Sequence, residues 1–259
     1  MQPWKTLERV ETPEGSLELR QRGTSSFLIT IAGRVLMTSD AHQSETDLAE
    51  LACAVVADRP RPRILIGGLG MGFTLRAALD KLPHSASVTV VDLNAVVVGW
   101  CQKTLAFLTN NAVKDRRVKL VVADVARTIA DAPAGSYDAI ILDLYEGPHQ
   151  VNNRGTDPLY GPGALRRTAA ALSQGGVLAV WSEEPDESFE ARLGYHFTVE
   201  RKRTGTGGRK HVVYLGRLDG KPRFRAAPPT ASVTTPARSP RPGARGGPPK
   251  KRKPRGSAH

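Results

Sequence analysis

The segment ILIGGLGMG at residues 64–72 organises this chain, because it joins a buried apolar run to a glycine-rich turn. The next residues, 73–81, have the apolar spacing of a helix. Gly68, Gly70 and Gly72 let the backbone turn tightly and let a ligand approach the helix N-terminus. Turns and crowded packing also select glycine. The position after a first strand and before a first helix nevertheless favours a nucleotide- or nucleoside-binding loop.

Strands and helices alternate from this segment onward. The first five predicted strands are continuous apolar runs, as expected when helices cover both faces of a sheet. The alternation predicts a doubly wound, mostly parallel α/β sheet, and the last two strands form an antiparallel hairpin at one edge because no helix separates them. Strands are predicted at residues 64–67, 88–92, 118–122, 139–143, 177–181, 197–202 and 211–216, and helices at 73–81, 95–108, 125–130, 163–173 and 187–193.

A small β unit is predicted before this sheet. Residues 27–31 lead through Ala32-Gly33-Arg34 into a second apolar run, which is typical of a hairpin. A helix follows, for which Ser44 is the predicted N-cap and Asp47 its capping-box partner.

Positive charge is concentrated at the C-terminal end. The net charge is +12, but residues 221–259 contain eleven Lys or Arg and no Asp or Glu, so the rest of the chain carries only +1. This Pro-, Gly- and Arg-rich tail is predicted to be disordered. Its end, PPKKRKPR, resembles a nuclear-import or polyanion-binding patch, and we interpret the tail as a solubilising or weakly RNA-binding extension. The predicted domains are therefore a β-hairpin unit at 1–40, a nucleoside-binding α/β domain at 41–219 and the tail at 220–259.

The remaining composition points to a cytoplasmic protein. No run of eighteen apolar residues predicts a membrane span, and the N-terminus has no apolar signal region. Cys53 and Cys101 lie among apolar residues of predicted helices, which indicates buried free thiols rather than a disulfide. No His, Cys or Asp spacing indicates a metal site.

Carboxylates follow three of the predicted strands. Asp92 ends the second strand, where a carboxylate can accept both hydroxyl protons of a ribose; the alternative is a helix cap, for which Asn94 is better placed. Asp124 ends the third strand and could accept a hydrogen bond from an adenine amino group or cap the next helix. The sequence leaves both roles of Asp124 open.

The fourth strand ends in IILDLYEGP at residues 140–148. An aliphatic amine is protonated at neutral pH and cannot attack carbon in that state. Two carboxylates beside an aromatic face can attract the cation and take its proton. Asp143, Glu146 and Tyr145 are therefore the candidate catalytic side chains, with loop capping as the alternative.

Together these segments resemble the spermidine synthase (polyamine aminopropyltransferase) family, from the N-terminal hairpin to about Gly216. The resemblance implies a class I methyltransferase-like, Rossmann-like fold with no metal. It also implies that the glycine loop, Asp92 and Asp124 bind decarboxylated S-adenosylmethionine, and that Asp143 deprotonates a small-molecule amine while Glu146 holds it. Leu159-Tyr160 is similar to the family's Leu-Phe or Leu-Tyr pair. A homodimer is expected from the same resemblance.

Two family features are missing. The family's glycine loop contains an Asp that contacts the aminopropyl end of the donor, whereas this chain has Leu69, Gly70 and Met71. The family's Tyr-Gln-Glu before the first strand is also absent, and we take Gln43 or Glu45 as partial substitutes.

Two other functions compete with aminopropyl transfer. An S-adenosylmethionine-dependent methyltransferase shares this sheet and nucleoside site, although such enzymes usually carry an acidic residue where this chain has Ile66. A nucleic-acid adenine methyltransferase is disfavoured, because the DPLY sequence at residues 157–160 lies too far downstream and lacks a second proline. The third hypothesis is a catalytically weak nucleoside-binding protein tethered by its basic tail.

Overall fold

The main sheet of the computed structural model has seven strands in the order β10-β11-β9-β8-β5-β6-β7. The strands β5 to β9 are parallel, and β11 runs antiparallel to both β9 and β10. The predicted doubly wound sheet with an antiparallel hairpin at one edge is therefore confirmed. The strands are β5 (Arg63–Gly67), β6 (Ser87–Asp92), β7 (Val118–Val122), β8 (Tyr137–Leu142), β9 (Leu172–Ser182), β10 (Thr198–Thr204) and β11 (His211–Arg217).

The structure describes residues 2–145, 147–148, 156–205 and 210–219, all of which belong to one compact unit. Glu146 and the predicted tail lie outside the described residues. Within the described ranges, no helix combines the length and the apolar character that crossing a membrane requires.

A four-stranded antiparallel sheet precedes the main sheet, with the strands in sequence order. The predicted hairpin turn is present, and Ala32 and Gly33 both have positive φ values, 46° and 79°. The first strand was not predicted, because its residues are mostly exposed and show little apolar alternation. The strands are β1 (Lys5–Thr12), β2 (Gly15–Arg22), β3 (Ser26–Ile31) and β4 (Arg34–Thr38).

Two predicted helices are shorter than expected. The third helix ends at Gln102, because the backbone of Lys103 leaves the helical region (φ −124°, ψ −93°). The fifth ends at Ala171, where the chain enters β9 directly. The helices are α1 (Gln43–Ala54), α2 (Phe73–Lys81), α3 (Ala95–Gln102), α4 (Val125–Ala130), α5 (Pro162–Ala171) and α6 (Glu187–Leu193), with short 3-10 segments at Ala106–Thr109 and Ala112–Lys114.

The predicted capping box of α1 is wrong. The helix starts after His42, and no side chain caps it. Ser44 lies inside the first turn, where it is buried, and its hydroxyl donates to Glu45 Oε2 at 2.6 Å. The Ser44 hydroxyl therefore holds the neighbouring Glu45 carboxylate and does not accept a hydrogen bond from a backbone N–H at the helix start.

Apolar side chains pack on both faces of the main sheet. Ile64 and Ile66 join a cluster with the N-terminal sheet, α1, α2 and α3, whereas Leu65 joins a cluster with α5 and α6 on the other face. This division explains why β5 is a continuous apolar run. Cys53 and Cys101 are buried free thiols, as predicted, and burial raises the pKa of each to about 12.

Candidate active site

A cavity of about 840 Å³ opens at the carboxyl ends of β5, β6 and β8. Open α/β sheets bind their ligands at this edge, at the switch point where the strand order reverses; here it lies between β5 and β8. The N-terminal sheet and α1 supply the facing walls. Of the candidate residues, the cavity is lined by Gly68, Gly70, Asp92, Asp124, Asp143 and Tyr145, but not by Gly72 or Gln43.

The three glycines of the loop have different structural roles. All have positive φ values, +90° at Gly68, +52° at Gly70 and +88° at Gly72. A Cβ at Gly68 would lie 2.1 Å from the backbone oxygen of Asp143, so this position packs against the end of β8. At Gly70 the nearest atom would be the Sδ of Met37, at 2.6 Å, and Gly72 is the N-cap of α2. Close packing and turn geometry thus account for part of the glycine pattern.

Side chains from three elements hold the glycine loop. The Leu69 N–H donates to Asp92 Oδ2 at 2.8 Å, and the Cys101 thiol donates to the Gly70 carbonyl at 3.2 Å. The Met71 N–H points at the thioether sulfur of Met37, 3.1 Å away. The side chains of Leu69 and Met71 are buried in the core, and the loop contains no acidic residue, so it supplies no carboxylate to the cavity.

Asp92 links the glycine loop to the start of α3. Its Oδ1 accepts from the Asn94 N–H at 2.8 Å, while its Oδ2 holds Leu69. Burial raises the pKa of Asp92 above its usual value, and the charge of Glu14 raises it further, against the lowering effect of the backbone hydrogen bonds. Glu14, at the β1–β2 turn, also accepts from Asn94 Nδ2 at 3.3 Å. The tip of the N-terminal hairpin therefore places a second carboxylate beside Asp92.

Asp124 caps the next helix along the edge of the sheet. Its Oδ1 accepts from the Ala126 N–H at 2.7 Å, so the capping role that the sequence left open is confirmed. The side chain is exposed and lines the cavity. A contact with adenine stays a prediction.

Asp143 lies where β8 ends and faces α1 and α2. Its Oδ2 accepts from the Thr74 hydroxyl at 2.5 Å. Burial raises the pKa of Asp143 to about 7, the charge of Glu45 raises it as well, and the Thr74 hydrogen bond acts in the opposite direction. The cavity thus contains a carboxyl group that changes charge near neutral pH, where a general base is most effective.

Glu45 comes from the first turn of α1. It lines the cavity, whereas Gln43 is exposed and donates from its amide to Asp47 at 2.7 Å. Side chains at positions i and i+2 of a helix point in directions about 200° apart, so Gln43 and Glu45 cannot both face the cavity. Of the two substitutes considered for the missing motif, the structure places Glu45 beside Asp143.

The cavity also contains residues that the sequence did not single out. Arg34, in β4, donates from Nη1 to the Tyr145 hydroxyl at 3.3 Å, and Tyr145 is 41% exposed. Trp181 contributes an aromatic wall. No sequence signal identifies Arg34, because it lies 111 positions from its partner.

Carboxylates outnumber cationic groups among the described residues that line the cavity. Arg34 is the single guanidinium or ammonium group among these lining residues, so their summed charge is negative and favours a cationic ligand. Within the described part of the chain, no group of three or more His, Cys, Asp and Glu side chains is placed to hold a metal ion. The lining carboxylates are Glu14, Glu45, Asp92, Asp124, Asp143 and Asp157.

Residues 47–193 match the family model described as spermine/spermidine synthase domain. Over 165 residues the chain is 29% identical to putrescine N-methyltransferase 4 of Nicotiana tabacum, covering 64% of this chain and 41% of the relative. Over 162 residues it is 28% identical to a polyamine aminopropyltransferase of Saccharolobus islandicus, covering 62% of this chain and 52% of the relative. The chain therefore matches about half or less of the length of these relatives.

Solved structures share the fold at low sequence identity. Spermidine synthase from Thermotoga maritima superimposes with a TM-score of 0.68 and 18% identity, covering 84% of this chain and 74% of that chain. Human methyltransferase-like protein 13, in complex with SAH, gives a TM-score of 0.53 and 19% identity, covering 72% and 85%. Both likenesses support the class I methyltransferase-like, Rossmann-like architecture.

Proposed function

Because this chain belongs to the spermine/spermidine synthase domain family, we propose that it transfers an aminopropyl group from decarboxylated S-adenosylmethionine to an amine. The observation that carries the proposal is the pair of carboxylates, Asp143 and Glu45, in an acidic cavity beside the glycine loop. The curated relatives are named for transfer of an aminopropyl or methyl group to polyamines or putrescine, which agrees with an amine acceptor here.

The donor's adenosyl group is assigned to the end of the cavity formed by the glycine loop and β6. Gly68 and Gly70 line this end, and Asp92 is the carboxylate that would accept hydrogen bonds from the ribose hydroxyls. Asp124 would receive the adenine amino group at the end of β7. Each carboxylate is already fixed by backbone N–H groups, so it is oriented before the donor binds.

Asp143 is the proposed general base. It takes a proton from the substrate ammonium, and the freed lone pair attacks the aminopropyl carbon next to the sulfonium. The carbon–sulfur bond breaks, its electron pair stays on sulfur, and methylthioadenosine leaves. Asp143 then returns its proton to solvent. Glu45 stabilises the cationic amine before the transfer, and Tyr145 provides an aromatic face for it.

The charge of the cavity favours a donor without a carboxylate. The described lining contains six carboxylates and one guanidinium, so a donor that keeps its own carboxylate meets repulsion from most of the lining charges. Both donors carry an ammonium and a sulfonium that these charges attract, so the repulsion of the carboxylate is what separates them.

An S-adenosylmethionine-dependent amine methyltransferase is the second candidate. It is supported by the similarity to putrescine N-methyltransferases and by the buried Leu69 and Met71 in the loop, where the aminopropyltransferases carry an Asp. Both candidates use the same kind of acceptor and the same base. They differ in the donor, which keeps its carboxylate in methyl transfer, and in which carbon next to sulfur is attacked.

Calorimetric titration of the full chain separates these candidates. We expect decarboxylated S-adenosylmethionine and methylthioadenosine to bind more tightly than S-adenosylmethionine and S-adenosylhomocysteine, and methylthioadenosine to be released when an amine such as putrescine is added. Preference for the carboxylated pair would replace aminopropyl transfer by methyl transfer. Absence of binding by all four would remove both enzyme assignments.

Asp92→Asn tests the nucleoside end of the site. In the unaltered chain, methylthioadenosine should bind about 10- to 100-fold more tightly than its 2′-deoxy analogue, which is the effect of a hydrogen bond to a charged group. The variant should bind both compounds equally weakly, as measured by calorimetry. Asp131→Asn, an exposed residue outside the cavity, is the matched control and should retain the discrimination. If the unaltered chain does not distinguish the two compounds, Asp92 only holds the loop.

The cytoplasmic location, the homodimer, the role of Glu146 and a weak nucleic-acid contact by the tail stay predictions from the sequence. Light scattering tests the homodimer. Comparison of RNA binding by the full chain and by a chain ending at residue 219 tests the tail, and equal binding would exclude its contribution.

A further inference from the structure

Thr74 makes an unusual contact for a threonine in a helix. It lies in the first turn of α2, is 2% exposed, and donates from its hydroxyl to Asp143 Oδ2 at 2.5 Å. The backbone oxygen of Glu45, the other acceptor within reach, is 3.5 Å away. Among the described residues, this hydroxyl is the one hydrogen-bond donor to the Asp143 side chain, so it fixes one carboxylate oxygen and leaves Oδ1 for the substrate.

The local structure explains why the hydroxyl turns toward Asp143. A threonine inside a helix commonly bonds to the carbonyl four residues earlier. Here the residue four positions earlier, Gly70, precedes the Gly72 N-cap and lies outside the helix, so the helical geometry for that bond is absent; the Gly70 carbonyl accepts the Cys101 thiol. The hydroxyl of Thr74 therefore reaches across to the end of β8, 69 positions away in the chain.

We propose that Thr74 is a positioning residue, which holds the Asp143 carboxyl group in place and favours the ionised form that accepts the substrate proton. The proposal rests on the proposed function, in which Asp143 is the base. A hydrogen bond to the charged form of a carboxyl group favours that form. Without it, burial and the neighbouring Glu45 would favour the protonated acid, which cannot take a proton.

The other charged or titratable groups facing this part of the cavity are few. Glu45 from α1 lies close enough for its charge to raise the pKa of Asp143. Tyr145 follows on the same loop, and Arg34 from β4 is bonded to it. Asp92 and Asp157 line the same cavity. None of these groups donates a hydrogen bond to Asp143 in the described residues, so Thr74 is the contact that opposes protonation directly.

Thr74→Val keeps the shape of the side chain and removes the donor. The pKa of Asp143 should rise by about one to two units, the effect of losing a hydrogen bond to a charged group. The acid limb of the kcat/KM profile should move to higher pH by the same amount. At pH 7, kcat should fall about 5- to 50-fold, because the ionised fraction of Asp143 falls by that factor, while KM for the donor stays unchanged. Thr74→Ser restores the hydroxyl and should return both the pKa and the profile to their original positions.

The decisive measurement is a carbon-13 NMR titration of the Asp143 carboxyl in the ligand-free full chain, with Asp143→Asn to assign the resonance. A raised pKa in Thr74→Val together with rescue by Thr74→Ser supports the proposal, and Thr74→Ala replaces the valine variant if valine prevents folding. An unchanged pKa, or a serine variant shifted as far as the valine variant, overturns it. Because this titration needs no donor, it is decided independently of the calorimetry that tests the proposed function.

Discussion

Asp143→Asn is expected to lower turnover by about a hundredfold to ten-thousandfold, the range for loss of a general base, while methylthioadenosine still binds as before. The asparagine has nearly the same shape, and its amide oxygen can still accept the Thr74 hydroxyl. The side chain cannot take a proton, so the substrate ammonium stays unreactive. Release of methylthioadenosine with an amine present measures the first effect, and calorimetry measures the second.

The pH dependence of stability shows whether the Asp143→Asn variant is folded, because the variant lacks the carboxyl group whose pKa changes on folding. The pKa of Asp143 is raised in the folded chain, to about 7, so the folded state binds more protons than the unfolded state between about pH 4 and pH 7. Stability therefore falls as pH rises through this window, and Asp143→Asn should remove that loss. Its Tm relative to the unaltered chain should be higher at pH 8 than at pH 4.

Asp131→Asn is the matched control for Asp143→Asn, since Asp131 is 72% exposed and pairs only with the exposed Arg127 among described residues. It should retain full turnover. A chain that keeps its turnover after Asp143→Asn would place the chemistry elsewhere. If neither Asp143→Asn nor Asp131→Asn has a measurable effect on turnover or on binding, the protein fits a tethered nucleoside-binding protein without catalysis.

Gly68→Ala is expected to destabilise the fold by about 2–4 kcal/mol and to abolish nucleoside binding. The new Cβ would lie 2.1 Å from the backbone oxygen of Asp143, at a φ of +90° that L-residues rarely adopt. Neither the backbone of β8 nor the loop can move away without disturbing the hydrogen bond from the Asp143 N–H to the Gly67 carbonyl. Urea unfolding gives the free energy of unfolding, and calorimetry gives the affinity for methylthioadenosine.

Gly99→Ala supplies the control, because a Cβ at this position in α3 has no neighbouring atom within 4 Å and its φ is not positive. Alanine also has the higher helix propensity, so this variant should be as stable as the unaltered chain or slightly more stable. Equal unfolding free energies for Gly68→Ala and Gly99→Ala would show that the loop can relax, and the tight packing against β8 would then have no energetic consequence.

The sheet, the glycine loop and the carboxylates at the strand ends could all be predicted from the sequence. These features depend on local patterns: β5 and β8 are apolar runs because both of their faces are covered, and positive φ values select glycine at the turn. Since parallel strands end at the same edge of a sheet, the positions of Asp92, Asp124 and Asp143 after three such strands bring all three to one cavity.

The other side chains of the site could not be predicted, because they come together only when the elements pack. Glu45, rather than Gln43, lines the cavity, and this depends on which face of α1 packs toward the sheet. Glu14 and Arg34 reach the cavity only because the N-terminal sheet forms one of its walls. Thr74 meets Asp143 across 69 positions of the chain, and Arg34 meets Tyr145 across 111. Contacts between residues so far apart in the chain depend on how the helices and strands pack, and the local periodicity of the sequence does not predict them.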